Sequence, residues 1–125
     1  MSSFFKYLDN GTRVLCVWSK GMTEPALNML EKHIKYGLVN PQDYASANLV
    51  YRGPDYNDDT DDPNQYQLKF ITADGKNQLW ISGLAASYDG AGPRGAVTAL
   101  RWMDFKVDER EVFELPQGEV RNFFK

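Results

Sequence analysis

The stretch from Tyr66 to Ser82 constrains the fold most strongly, because it has the pattern of two strands joined by a tight turn. In its first half, apolar or aromatic residues at every second position alternate with Gln67 and Lys69. Such alternation indicates a β-strand with one buried face. Asp74-Gly75 follows, and this dipeptide tolerates the positive φ angles that short hairpin turns require. The segment therefore predicts an antiparallel hairpin.

The N-terminal part of the chain repeats this pattern. Asn10-Gly11 separates an aromatic run, Phe4 to Leu8, from the apolar run Thr12 to Trp18. Both faces of the second run are mostly apolar, which favours a position inside the sheet. Three more segments are expected to be strands: Ala47 to Arg52, Glu111 to Leu115 and Glu119 to Phe124.

Two segments have helical periodicity. Thr23 is expected to cap a helix over Glu24 to Tyr36, and a second helix is expected from Pro93 to about Met103. Strands joined by short turns, together with two amphipathic helices, define an α+β class. We expect a mostly antiparallel sheet built from hairpins, with the two helices packed on it, as a single domain over residues 1–125.

Composition narrows the function classes. The chain has 125 residues, a formal net charge of -3 and a pI near 5.1, whereas nucleic-acid binders usually carry a strongly basic patch. We therefore expect no DNA or RNA partner. The lone Cys16 fits a reducing compartment, and no apolar run has the roughly 20 residues that a membrane helix needs. A cytoplasmic location without membrane contact is expected, which means the host cytoplasm if a phage encodes the chain.

Sequence signatures of catalysis are missing. There is no Gly-x-Ser-x-Gly elbow, no phosphate-binding loop ending in Gly-Lys-Ser or Gly-Lys-Thr, and no Cys/His spacing for a metal. His33 is the only histidine, so it has no second imidazole with which to share a metal. Carboxylate pairs that form only in the folded chain leave no sequence signature, so an enzyme is disfavoured and not excluded. A binding protein without cofactor or metal is therefore favoured over an enzyme.

The run from Tyr88 to Gly95, YDGAGPRG, combines a glycine-rich loop with the start of the second helix. Gly90, Gly92 and Gly95 would allow a ligand to approach the backbone closely. The N-terminus of a helix attracts anions, because its first N–H groups have no intrahelical acceptor. With Pro93 in the first turn, the N–H groups of Arg94 and Gly95 are expected to point outward together. This pattern predicts a phosphate site, although an ordinary turn into a helix has the same residues.

Side chains around this loop would complete such a site. Arg94 could bind a phosphate with two parallel hydrogen bonds, and Arg101, seven residues later, would project from nearly the same side of the helix. Tyr88 could stack on a base or donate its hydroxyl. Trp80 faces away from its strand neighbours Leu79 and Ile81, and is a further candidate for stacking.

With these features the chain resembles the small phage proteins that sequester nucleotide immune signals, in particular the Thoeris anti-defence type. The resemblance rests on the chain length, the expected sheet with two helices, and the Tyr88 to Gly95 run with its nearby aromatic residues. It implies a sponge, that is, a protein that captures a cyclic ADP-ribose-like ligand unmodified at subunit contacts. A homo-oligomer is expected for the same reason, and because an aromatic-rich sheet suits a subunit interface.

A second functional hypothesis, that the chain is a protein-interaction module and not a nucleotide-binding protein, stays open. The loop containing Asp55 to Asp62 is strongly acidic and could contact a basic protein partner, as in an inhibitor or immunity protein. The spacing of its aspartates does not fit an EF-hand, because Pro63 stands where that loop needs glycine. Salt-sensitive binding of a partner would favour this alternative over nucleotide capture.

Overall fold

The computed structural model describes residues 2–50, 59–84 and 90–125, and its fold is α+β. Its strands are β1 (Ser2–Tyr7), β2 (Arg13–Trp18), β3 (Tyr44–Val50), β4 (Leu68–Thr72), β5 (Asn77–Ile81) and β6 (Val120–Phe124). Its helices are α1 (Thr23–Lys35), α2 (Ala91–Trp102) and the short α3 (Glu109–Phe113). Two short 3₁₀ turns, Pro41–Asp43 and Pro63–Gln65, precede β3 and β4.

The six strands form one sheet in the order β1-β2-β5-β4-β3-β6. Four of the neighbouring pairs are antiparallel, and β2 with β5 is the parallel pair. The expected sheet, mostly antiparallel with two main helices packed on it, is confirmed. Both expected hairpins are present, and Gly11 and Gly75 adopt φ angles of 86° and 71° in their turns.

Because β2 and β5 are parallel, their C-terminal ends lie side by side, and the segments that follow them are in contact. Beyond the strand ends, the Ser19 N–H donates to the Ser82 hydroxyl over 2.7 Å. The Thr23 hydroxyl donates to the Gly83 carbonyl over 2.6 Å, which ties the start of α1 to the end of β5. The prediction that Thr23 caps α1 is therefore wrong. Met22 occupies the N-cap position, and the Thr23 hydroxyl donates its hydrogen bond to Gly83, just beyond β5.

The main core lies between the helices and one face of the sheet. Alternation along the strands sends every second side chain to this face. Its strand residues are Leu15, Val17, Ala47, Leu49, Leu68, Phe70, Leu79, Ile81 and Phe123. The helices contribute Ala26 and Leu30 from α1, Ala96, Val97, Ala99 and Leu100 from α2, and Val112 from α3.

A smaller cluster lies on the opposite face of the sheet. Val14, Cys16 and Trp80 meet there under the ring of Tyr66, which belongs to the segment between β3 and β4. The Tyr66 and Trp80 rings lie 5.7 Å apart between centroids. Both faces of β2 are thus covered, which confirms its expected place inside the sheet.

The prediction of a strand from Glu111 to Leu115 is wrong, because most of this segment belongs to α3. The Asp108 carboxylate accepts a hydrogen bond of 3.0 Å from the Arg110 N–H and so caps the helix. Val112 and Leu115 are buried three residues apart, which is helical spacing. The last expected strand, by contrast, is confirmed as β6.

Among the described residues, no helix combines the length and apolar character needed to cross a membrane.

Candidate ligand-binding site

The start of α2 differs from the predicted anion site. Gly90 is the N-cap, and the Arg94 N–H donates to the Gly90 carbonyl over 3.2 Å as the first hydrogen bond of the helix. The prediction that the Arg94 N–H points outward to a ligand is therefore wrong. Pro93 has no N–H, so Ala91 and Gly92 supply the amides that precede this bond. Tyr88 lies outside the described residues.

Gly95 has a packing role at the crossing of α1 and α2. It is buried, and a Cβ added there would lie 2.5 Å from Thr23 Cγ2 and 2.9 Å from Leu84 Cδ2. Only a residue without a side chain allows the two helices to approach so closely. Gly92 is buried as well, in the first turn. The burial of Gly95 is explained by helix packing and needs no ligand.

Arg94 and Arg101 do lie together, as their spacing predicted. Both line an open cleft of about 460 Å³ between α2 and α3. Both are exposed, whereas Val97 at the cleft floor is buried. Thr98, Glu109 and Phe113 complete the described lining.

Arg101 is held by two contacts from the α3 side of the cleft. Its Nη2 donates to the Val107 carbonyl over 3.3 Å, and its Nη1 lies 3.9 Å from Glu109 Oε1. The Arg101 and Glu109 side chains are 53% and 58% exposed, so water screens their attraction strongly. Arg101 is positioned by these contacts, yet a phosphate could displace such a weak carboxylate partner.

Thr98 and Phe113 give the cleft a hydroxyl and an aromatic ring. The Thr98 hydroxyl donates to the Arg94 carbonyl over 3.1 Å, and its oxygen can still accept a hydrogen bond. Phe113 is half-buried against the main core, so its ring is fixed by packing. Sequence reasoning missed Phe113, because the predicted strand put no helix beside Arg101. Asp108, followed by Glu109 and Glu111, is the helix-start signal that could have revealed it.

Trp80 is not part of this cleft. It is only 4% exposed, and it lies on the face of the sheet opposite to the helices. Lys6 Nζ and Lys69 Nζ lie 4.5 Å and 4.3 Å from its ring centroid, and its indole N–H donates to Gln78 Oε1 over 2.8 Å. The alternation that separates Trp80 from Leu79 and Ile81 thus places it away from Arg94 and Arg101.

Other reactive side chains lie elsewhere. His33 Nε2 and Ser3 Oγ are 2.9 Å apart between α1 and β1, and burial lowers the pKa of His33. Cys16 is buried beneath Tyr66, and this burial raises the pKa of its thiol, so the unreactive protonated form is favoured. Within residues 2–50, 59–84 and 90–125, no group of three or more His, Cys, Asp or Glu side chains could hold a metal ion.

The acidic loop is described only in part, since Asp55 and Asp58 fall outside the described residues. The Asp59 carboxylate accepts the Asp61 N–H over 3.0 Å, and that of Asp62 accepts the Asn64 N–H over 2.9 Å. These carboxylates stabilise local turns. Contact with a basic partner stays a prediction.

A second cleft, of about 600 Å³, lies on the other side of the sheet beside the first hairpin. Lys6, Asp9 and Asp61 are its charged lining residues. The Lys6 ammonium already donates to the Asp61 carbonyl over 3.1 Å. Because the two carboxylates would repel an anion, this cleft suits a phosphate less well than the one between α2 and α3.

Comparisons of the chain with family models, with curated proteins and with solved structures found no match. The class of ligand must therefore be inferred from the chemistry of the cleft. The cleft contains two guanidinium groups, a hydroxyl and an aromatic ring. Such groups in one concave site are typical of sites for a ligand that has both an anionic group and a ring.

Proposed function

We propose that the cleft between α2 and α3 binds a small phosphate-bearing ligand and releases it unchanged. The observation that carries this proposal is that Arg94 and Arg101 line the same cleft. Two guanidinium groups that lie two helical turns apart on α2 could each form paired hydrogen bonds with phosphate oxygens, which a lysine cannot do. The chain as a whole is acidic, with a formal net charge of -3, so the two arginines distinguish this cleft from the average charge of the protein.

The ligand class within this proposal is a nucleotide. Phe113 provides a fixed aromatic ring beside the arginines, and every base has a π-face that can stack on such a ring. The cleft volume of about 460 Å³ falls within the range of small-molecule sites. A cyclic ADP-ribose-like ligand captured by a sponge, as the resemblance implies, is the narrowest form of the proposal.

Capture without conversion is favoured by the composition of the cleft. Among its described lining residues, Glu109 is the only carboxylate, and it lies against Arg101. General acid–base chemistry needs a titratable group aimed at the reacting atoms, with a partner that orients it. Glu109 is exposed and pairs with a group proposed to bind the ligand, which suits charge balance better than proton transfer.

Thermal denaturation with a graded set of ligands tests the proposal. Pyrophosphate, ADP and ADP-ribose are expected to raise the melting temperature in a concentration-dependent way, because they bind the folded state alone. Adenosine, which has no phosphate, is expected to have little effect. If none of the phosphate compounds raises the melting temperature, the proposal is contradicted.

Arg94→Ala tests the residue assignment by calorimetric titration with the best ligand of that set. A lost charge-assisted hydrogen bond is expected to weaken binding by roughly tenfold or more. The matched control is Arg110→Ala, since Arg110 is an exposed arginine on α3 that does not line the cleft. If wild type and Arg94→Ala fold alike and bind the ligand with equal affinity, Arg94 does not contribute to the site.

A further inference from the structure

Strand β6 presents an exposed apolar edge. β3 is its one neighbour in the described sheet, and four of its five residues are exposed. Val120 is 51% exposed and Phe124 is 74% exposed. An edge strand of this kind offers unpaired N–H and C=O groups on which another strand can form.

The backbone groups that face this free edge can be identified. The Lys125 N–H donates to the Ala45 carbonyl on β3 over 3.3 Å. In an antiparallel ladder, successive residues direct their backbone groups to opposite sides. The odd-numbered residues of β6 therefore pair with β3, while Val120, Asn122 and Phe124 direct their N–H and C=O groups outward.

A second copy of β6 fits this edge in an antiparallel register centred on Asn122. In that register Val120 lies opposite Phe124 of the second copy, so both apolar side chains find an apolar partner on the same face. The three outward-directed residues of one copy meet those of the other. Glu119 lies opposite Lys125 of the second copy, and the two-fold axis repeats this charge pair.

Neighbouring registers lack this complementarity. Centring the pair on Arg121 would place two Arg121 side chains directly opposite each other, and centring it on Phe123 would place Arg121 opposite Lys125. Like charges in direct cross-strand pairs are destabilising. Both shifts would also shorten the overlap of the two strands. The charges of β6 thus select the Asn122 register.

The other free edge, β1, does not offer the same match. Its single charged residue is Lys6, whose ammonium donates to the Asp61 carbonyl. Its Phe5 ring already contacts the Arg13 guanidinium, which lies 4.8 Å from the ring centroid. Charge complementarity with a second copy therefore favours β6 over β1.

We propose that two copies of this chain associate through β6, so that one sheet continues through both. The Lys125 ammonium donates to the Pro41 carbonyl over 2.7 Å, and it would have to exchange or share this contact to reach Glu119. Exposed ion pairs contribute little, so the Val120–Phe124 contacts and the new ladder stabilise the dimer, and the charges set its register.

Sedimentation of the full chain across a concentration series tests the dimer. Wild type is expected to show a monomer–dimer equilibrium at micromolar concentrations. In Asn122→Pro the proline ring replaces an outward N–H in both copies without removing a hydrogen bond to β3. Its dimer dissociation constant is expected to rise by roughly tenfold or more.

Asn122→Lys provides a second variant in case proline disturbs the strand, because it places two ammonium groups against each other at the two-fold axis. Glu119→Lys is expected to weaken the dimer, and adding Lys125→Glu to restore it. A wild type that stays monomeric throughout would overturn the proposal. Dimers that persist in both Asn122 variants, or that dissociate only in Phe5→Lys, would overturn it as well.

Discussion

Gly95 determines how closely the two main helices approach. The helix stripe of Ala96, Val97, Leu100 and Met103 could be predicted from periodicity, and all four residues are buried. The role of Gly95 could not be predicted, because its neighbours Thr23 and Leu84 are distant in sequence. Gly95, which the sequence pattern predicts to lie against a ligand, packs against α1.

Gly95→Ala is expected to destabilise the protein. Alanine is favoured over glycine in a helix by about 1 kcal/mol. The added Cβ, however, would lie 2.5 Å from Thr23 Cγ2, and overpacking of this kind costs about 1–3 kcal/mol. We expect a net loss of roughly 1 kcal/mol in the free energy of unfolding, measured with urea.

Thr23→Ser distinguishes this explanation from a general intolerance of the site. Serine keeps the hydroxyl that donates to the Gly83 carbonyl and removes the methyl group that clashes. In the double variant, part of the loss caused by Gly95→Ala should be recovered. If the two changes are simply additive, Thr23 is not the residue that Gly95 accommodates.

At the scale of elements, α3 shows how a short segment can satisfy two patterns. Glu111 to Leu115 contains three apolar residues that fit either a strand or a helical turn, and periodicity alone does not decide between them. The cap at Asp108 and the burial of Val112 and Leu115 decide in favour of the helix. Because α3 carries Glu109 and Phe113, this local choice also forms one wall of the candidate cleft.

Asp108→Ala is expected to lower both stability and ligand binding. Loss of an N-cap costs about 0.5–2 kcal/mol. Since α3 carries Phe113, which lines the cleft together with Arg101, its fraying should weaken binding of the nucleotide in calorimetric titration. Asp108→Asn is the control, because asparagine also caps helices and should retain most of both properties. Equal effects of the two substitutions would contradict a capping role.

At the scale of the whole molecule, the sheet separates Trp80 from Arg94 and Arg101, which the sequence pattern predicts to belong to one site. Both hairpins and both main helices could be predicted from turn residues and periodicity, which are local signals. The parallel contact of β2 with β5 could not, because no local pattern specifies which strands from different hairpins become neighbours. This contact and strand alternation place Trp80 on one face and both arginines on the other.

The proposed ligand site therefore lies between α2 and α3, on the helix side of the sheet. Nuclear magnetic resonance of the isotope-labelled chain, titrated with ADP-ribose, tests it most directly. Chemical-shift changes are predicted for the backbone amides of Thr98 and Phe113 and for the Nε–H groups of Arg94 and Arg101, with the Trp80 indole unchanged. Changes confined to the Trp80 face or to Asp59 through Asp62, or no changes at saturating ligand, would contradict it.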